Sequence, residues 1–183
     1  MPRQNLIALL GRYEAADALE ASMLARTLAF AQAEPRSLEA GFEAGHITAS
    51  AWVLSADGRA VLLTHHRKLG KWFQLGGHLD SGETVLQAAL REAREESGVD
   101  GVRAVIEDVF DVDVHSIPAR GGAPQHWHYD VRFLLQAPPD APLIASSESR
   151  ALAWVRLEEA HRYNDSESIL RMVRKSLYGR TRV

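Results

Sequence analysis

The chain has 183 residues, with 46% hydrophobic and 25% charged side chains and a formal charge of −3. Those are ordinary values for a folded domain with an extension, and at this length roughly 70% of the unfolded surface is hidden on folding. The balanced charge excludes bulk attraction to nucleic acid or an anionic membrane. The absence of cysteine excludes disulfides, thiolate metal sites and a cysteine nucleophile.

In chain order, residues 3 to about 33 predict two helices. Leu6, Leu9 and Leu10 mark the first, and Leu19, Met23, Leu24, Leu28 and Phe30 mark the second after Asp17. Pro35 stops the run, and a short helical turn is expected over Ser37–Phe42. From His46 the texture changes. Ile47, Ala49, Ala51 and Val53 alternate as in a strand, and Asp57-Gly58 turns the chain into a second strand at Ala60–Leu63. A boundary near residue 45 follows, giving an N-terminal helical extension (1–44) and a main domain (45–183).

A glycine-containing loop, Gly70–Gly82, leads to a helix over Thr84–Ser97 that Gly98 terminates. Strands are expected at Val102–His115, His126–Leu135 and Ala151–Val155, with a Gly/Pro-rich loop at Ser116–Pro124 and a turn at Pro138–Pro142. Leu157–His161 and Ser166–Tyr178 read as closing helices, the end of the chain being mildly basic, as a solvated helix face is. This uneven alternation points to an α+β fold with a mixed sheet rather than a doubly wound one. The start lacks a long apolar segment and no 18-residue apolar run occurs, so the expected location is the cytoplasm.

The helix at 84–97 carries the chemistry. Glu92, Glu95 and Glu96 fall at i, i+3 and i+4, on one helical face, and repel one another. Arg91 precedes Glu95 by one turn and can pair with it, but one guanidinium does not balance three carboxylates. A divalent cation does, and oxygen-only ligands select Mg²⁺ or Mn²⁺ over zinc. Leu86, Leu90 and Ala93 make the opposite, apolar face. Gly76, Gly77 and Gly82 allow positive φ and close backbone approach, which offers the Gly77 carbonyl as a further ligand. Glu83, at the helix start, suits the helix dipole and can fix Arg91.

The stretch GHLDSGETVLQAALREAREESGV resembles the signature of the Nudix (MutT-like) hydrolase superfamily, supplying Gly77, Glu83, Arg91, Glu92, Ala93, Glu95, Glu96, Gly98 and Val99 in the signature places. Ala93 is smaller than the usual aliphatic residue there. The resemblance extends over about residues 45–178. It implies an α/β/α sandwich with a mixed sheet and hydrolysis of the diphosphate linkage of a nucleoside diphosphate derivative. It implies Glu92, Glu95 and Glu96 as ligands of Mg²⁺ or Mn²⁺ with the Gly77 carbonyl beside them, and Arg91 and Glu83 as orienting residues. The metal would neutralise phosphate and lower the pKa of water.

A box glutamate is the first candidate to take the water proton, and Glu148 the second. His78 and His128 are candidate substrate contacts. His126 and His128 share a strand face, but zinc needs three or four ligands and no such set is readable in the sequence. The aromatic residues Trp72, Phe73, Trp127 and Tyr129 read as core or sheet residues. The implied partner is a small nucleotide-type diphosphate, with a homodimer as the assembly seen among relatives. The competing reading is a catalytically silent nucleotide-binding sensor on the same fold. Isoprenyl diphosphate isomerisation is excluded, because those relatives use a catalytic cysteine. Discrimination among diphosphates falls to loops such as Ser116–Pro124 and Pro138–Glu148.

Overall fold

Leu6, Leu9 and Leu10 are buried together on the first helix, α1 (Pro2–Arg12), as their spacing predicts. The second, α2 (Ala18–Ala33), opens on Asp17, whose carboxylate accepts the Glu20 N–H at 2.8 Å. In the computed structural model, which describes residues 1–119, 122 and 124–179, the inward stripe of α2 is not the expected one. Glu20, Thr27 and Ala31 are buried and Leu19 is exposed. The reason is Glu20: its carboxylate accepts the Tyr13 hydroxyl (2.6 Å), the Ala16 N–H (2.7 Å) and the Val112 N–H (3.1 Å). A buried carboxylate with three donors outcompetes a leucine for that side of the helix. After Pro35, residues 37–42 form successive turns rather than a helix.

The remaining elements are β1 (His46–Leu54), β2 (Ala60–His66), β3 (Trp72–Phe73), β4 (Leu75–His78), α3 (Val85–Ser97), β5 (Arg103–Ala104), β6 (Asp111–Ile117), β7 (His126–Gln136), β8 (Ser149–Arg156), a 3-10 turn at Leu157–Arg162 and α4 (Glu167–Gly179). This is the expected α+β fold, a mixed sheet with helices. Every residue of β1 is buried, the polar ones included. Thr48 and Ser50 give their hydroxyls to Asp130, and Trp52 gives its indole N–H to Ser176 at 2.8 Å. Two short strands occupy the expected loop at 70–82, and the run at 102–115 breaks between β5 and β6.

The chain forms two compact units. Residues 1–50, 77–89 and 107–133 make the first, and residues 51–76, 90–106 and 134–183 the second. In the first, β6 and β7 pair antiparallel with Asp111 opposite Arg132 and Asp113 opposite Asp130. Arg132 is enclosed there, bonding Asp130 at 2.8 Å and Asp111 at 3.1 Å and pairing with Asp113 at 3.3 Å. Tyr129 stacks on Phe30 of α2, with 4.2 Å between ring centroids.

In the second unit β2 pairs antiparallel with β1, β3 and β8, and β5 with β7. The tail of α4 is not a purely solvated basic face, because Arg171 is buried; residues 180–183 of that expected basic end lie outside the described residues, as do 120, 121 and 123 of the loop Ser116–Pro124. Among the described residues no helix is long and apolar enough to cross a membrane.

Gly98 ends α3 in the left-handed region (φ 68°), its N–H on the Arg94 carbonyl at 2.7 Å. A Cβ there would lie 2.6 Å from the Ile144 Cβ. Ile144 in turn donates its N–H to the Ser97 carbonyl at 2.7 Å, so the loop after β7 is laid against the end of α3. Gly98→Ala meets both the φ penalty and this clash, and is expected to lower stability by about 2–4 kcal/mol in urea unfolding. A loss within a few tenths of a kcal/mol would show that Ile144 is not packed there.

Candidate active site

Helix α3 begins with a reciprocal cap. Thr84 Oγ1 accepts the Gln87 N–H (3.3 Å) and the Gln87 side-chain Oε1 accepts the Thr84 N–H (2.9 Å). Glu83 therefore lies before the helix, and its carboxylate accepts the Asp80 N–H at 2.9 Å. Gly76 and Gly82 take positive φ (146° and 87°), as expected, whereas Gly77 does not. The buried residues of α3 are Val85, Ala88, Ala89, Ala93, Glu96 and Ser97, while Leu86 and Leu90 are half-buried. Small residues, rather than the leucines, face inward.

The three glutamates consequently differ. Glu95 is exposed, Glu92 half-buried and Glu96 only 7% exposed. In the second unit Arg91 donates to Glu92 at 2.9 Å and to Glu95 at 3.2 Å, the pairing its spacing predicts. Glu96 accepts the Gly76 N–H at 3.0 Å. Burial pushes the Glu96 carboxyl up to about 7, opposed by the Gly76 N–H and assisted by the negative charges of Glu92 and Glu148. Burial also raises Glu92, against the pull of Arg91 and with the push of Glu95 and Glu148.

Glu148 thus joins the same electrostatic group, and its backbone explains how. The Ser146 N–H reaches the Glu96 carbonyl at 3.4 Å, and the Glu148 carbonyl accepts the Arg67 N–H at 2.8 Å. The Arg67 guanidinium holds the Ser147 and Ser149 carbonyls at 2.9 and 3.0 Å. Sequence reasoning passed over Arg67; its signal was a basic residue closing a strand opposite a polar loop. Glu92, Glu95, Glu96 and Glu148 present oxygen donors alone, with Arg91 as the cation among them, a set that fits a hard divalent ion.

The first unit gathers histidines. His78 and His128 are joined by His46, His115 and His126, the His46 ring lying 4.9 Å from His78 and 4.7 Å from His128 by centroids. His65 and His66 stand apart on β2, His65 stacked on Trp72 and His66 Nδ1 accepting the Lys68 N–H. Burial, then the neighbouring rings, lowers His46 to about 4 and His128 to about 3. Both rings ionise more easily in the unfolded chain, so they withdraw stability as pH falls from about 6.5 through those values. His128→Gln is therefore expected to flatten acid unfolding between pH 6 and pH 3, read by circular dichroism. An unchanged acid transition would show that the His128 ring is already charged in the fold.

A family model described as NUDIX domain matches residues 45–175. The chain is similar to the asymmetrical bis(5'-nucleosyl)-tetraphosphatases of Sus scrofa (27% identity over 114 residues, 60% of this chain and 74% of the relative) and Rattus norvegicus (28% over 101 residues, 55% and 65%). Its fold is similar to that of a C. elegans Ap4A hydrolase binary complex, with TM-score 0.61 at 22% identity over 75% of this chain and 98% of the other. It is also similar to the E. coli dihydroneopterin triphosphate pyrophosphohydrolase, with TM-score 0.54 at 20% identity over 69% and 91%. With the family model covering most of its length and the glutamate-rich helix in place, the chain belongs to the Nudix family.

Proposed function

We propose that the chain is a metal-dependent pyrophosphohydrolase that cleaves the diphosphate linkage of a nucleoside diphosphate derivative. One observation carries the reading: Glu92 and Glu96, two inward-lying carboxylates, are grouped electrostatically with each other and with Glu148, and of the two Arg91 pairs with Glu92. Such a group is costly in a protein that binds no cation and well suited to one that does.

In this reading Glu92, Glu95 and Glu96 hold Mg²⁺ or Mn²⁺. When bound, the ion neutralises phosphate charge and makes water more acidic. Arg91 keeps Glu92 and Glu95 in place through one guanidinium nitrogen shared by both. The Gly76 N–H fixes one Glu96 oxygen and leaves the other available. Glu148, exposed and tied down through its backbone by Arg67, can accept a proton from water without leaving the ion short of a ligand. The Gly77 carbonyl as a further ligand and Glu83 as the partner of Arg91 rest on the motif, and His78 and His128 as substrate contacts on the wider family resemblance of their loop and strand.

The tetraphosphatase relatives make nucleoside polyphosphates the first compounds to try. The partner in this reading is a small nucleotide rather than nucleic acid or membrane, the setting is the cytoplasm, and a homodimer is the expected assembly. The test is incubation with Mg²⁺ and a panel of nucleoside polyphosphates, sugar nucleotides and oxidised triphosphates, reading phosphate or pyrophosphate release. Turnover of one compound, abolished in a Glu95→Gln, Glu96→Gln variant, supports the proposal. Magnesium-independent turnover, or equal turnover by the variant, overturns it.

A further inference from the structure

Three strands of the first unit end their histidines at one place: His46 at the start of β1, His78 at the end of β4 and His128 in β7. One ring nitrogen from each lies within 4.8 Å of the other two. A four-coordinate ion with nitrogen ligands at about 2.1 Å sets those nitrogens roughly 3.4 Å apart. Small side-chain rotations close that gap. Of the three, His78 is exposed while His46 is 1% exposed.

His46 supplies the second observation. Both of its ring nitrogens are shut off from solvent and, among the described residues, have no hydrogen-bond partner in bonding geometry, the Phe42 carbonyl only favouring a proton on the ring. A buried, unpaired imidazole is expensive unless something arrives to meet it. Its placement is also enforced. Gly45 (φ 124°) lies so close to β7 that a Cβ there would be 2.4 Å from the Trp127 carbonyl oxygen, and the Ile47 N–H is held by the Ser37 carbonyl at 2.7 Å. The backbone on both sides of His46 is thereby fixed beside the strand that carries His128.

We infer that His46, His78 and His128 form a binding site for a borderline transition-metal cation of the Zn²⁺ class, separate in chemistry from the carboxylate group on α3. Imidazole nitrogen prefers zinc, cobalt, nickel or copper over magnesium, just as the all-oxygen set prefers the reverse. Three nitrogens leave a fourth position for water or for an anionic oxygen.

Cobalt(II) titration of the intact chain in saturating Mg²⁺ tests this. A nitrogen-rich tetrahedral site gives intense visible bands, whereas cobalt on carboxylates and water is six-coordinate and pale. The expected result is saturation at one cobalt per chain, bleached by one equivalent of Zn²⁺. In His78→Ala and in His128→Gln the bands disappear, with affinity weakened by on the order of 100-fold or more, beyond what losing a second-shell partner costs. His78 is exposed, so its variant keeps the fold, and circular dichroism verifies this for both. Absence of visible bands in the parent protein overturns the proposal. So does their persistence in either histidine variant, or their loss in Glu96→Gln with the histidines intact.

Discussion

Replacing Arg132 by Met is expected to destabilise the protein more than any surface change, by about 3–5 kcal/mol at pH 7 in urea unfolding, because it strands charge in the interior. Asp111, Asp113 and Asp130 are all less than a tenth exposed and share the Arg132 guanidinium; Asp130 also accepts from the Thr48 and Ser50 hydroxyls, and Asp113 lies 3.2 Å from His115 Nδ1. Burial alone would strip the Arg132 charge, but the three carboxylates raise its proton affinity far above the ordinary arginine value. Once it is gone, the acids can be tolerated only by protonation. The folded variant then binds protons that its unfolded form releases, so it regains stability as pH falls from 7 towards 4. Arg132→Lys recovers little, since one ammonium cannot fork to three carboxylates. A loss below 1 kcal/mol, or one indifferent to pH, would mean that the cluster is solvated rather than enclosed.

The second large effect concerns Glu96. On the proposed reading of Glu96 as a metal ligand, turnover in Glu96→Gln is expected to fall by about 10³-fold or more, since several kcal/mol of charge stabilisation go with such a ligand. Without metal the same variant gains stability. A carboxyl raised to about 7 in the fold withdraws stability as pH climbs from its unfolded value near 4.5 through 7. The stability difference between variant and parent therefore opens over that window and levels off on the order of 3 kcal/mol. Gln keeps the Gly76 hydrogen bond, so the gain comes from removing charge, not from repacking. Added Mg²⁺ raises the melting temperature of the parent and leaves the variant where it was. Parallel melting curves across pH 4.5–8, with and without Mg²⁺, would defeat both the burial argument and the ligand assignment.

The contrast between these two sites explains what could be read in advance. Glu92, Glu95 and Glu96 lie in one short stretch whose spacing and flanking residues are distinctive, so the helix, its glycine stop and the Arg91 pairing were legible. The Arg132 cluster draws on two strands, and only the register of β6 against β7 brings its members together. Alternating Asp111, Asp113 and Asp130, Arg132 look like the wet side of a strand until that register is known.

His46 was missed for the same reason, being a lone residue before an apolar run, far in sequence from His78 and His128. The faces of α2 and α3 were misjudged because periodicity ranks residues by hydrophobicity. A glutamate with three donors, or alanines at a tight approach, can take the inner side instead. Glu148 needed the Arg67 anchor and the Ser97–Ile144 bond to be placed at all.

Glu20 carries a consequence for how this domain could be moved or borrowed. The family match begins at residue 45, yet the Val112 amide in β6 finds its acceptor on α2, and the Tyr13 hydroxyl, whose proton goes chiefly to Glu20, lies 2.9 Å from the Phe110 carbonyl. Homology and self-sufficiency therefore have different borders in this chain. A fragment trimmed to the matched border would carry the whole glutamate signature and lose the bonds that Glu20 and Tyr13 make to Val112 and Phe110. The first helices act as a built-in companion to the catalytic fold, and grafting the enzyme into another protein means taking them along.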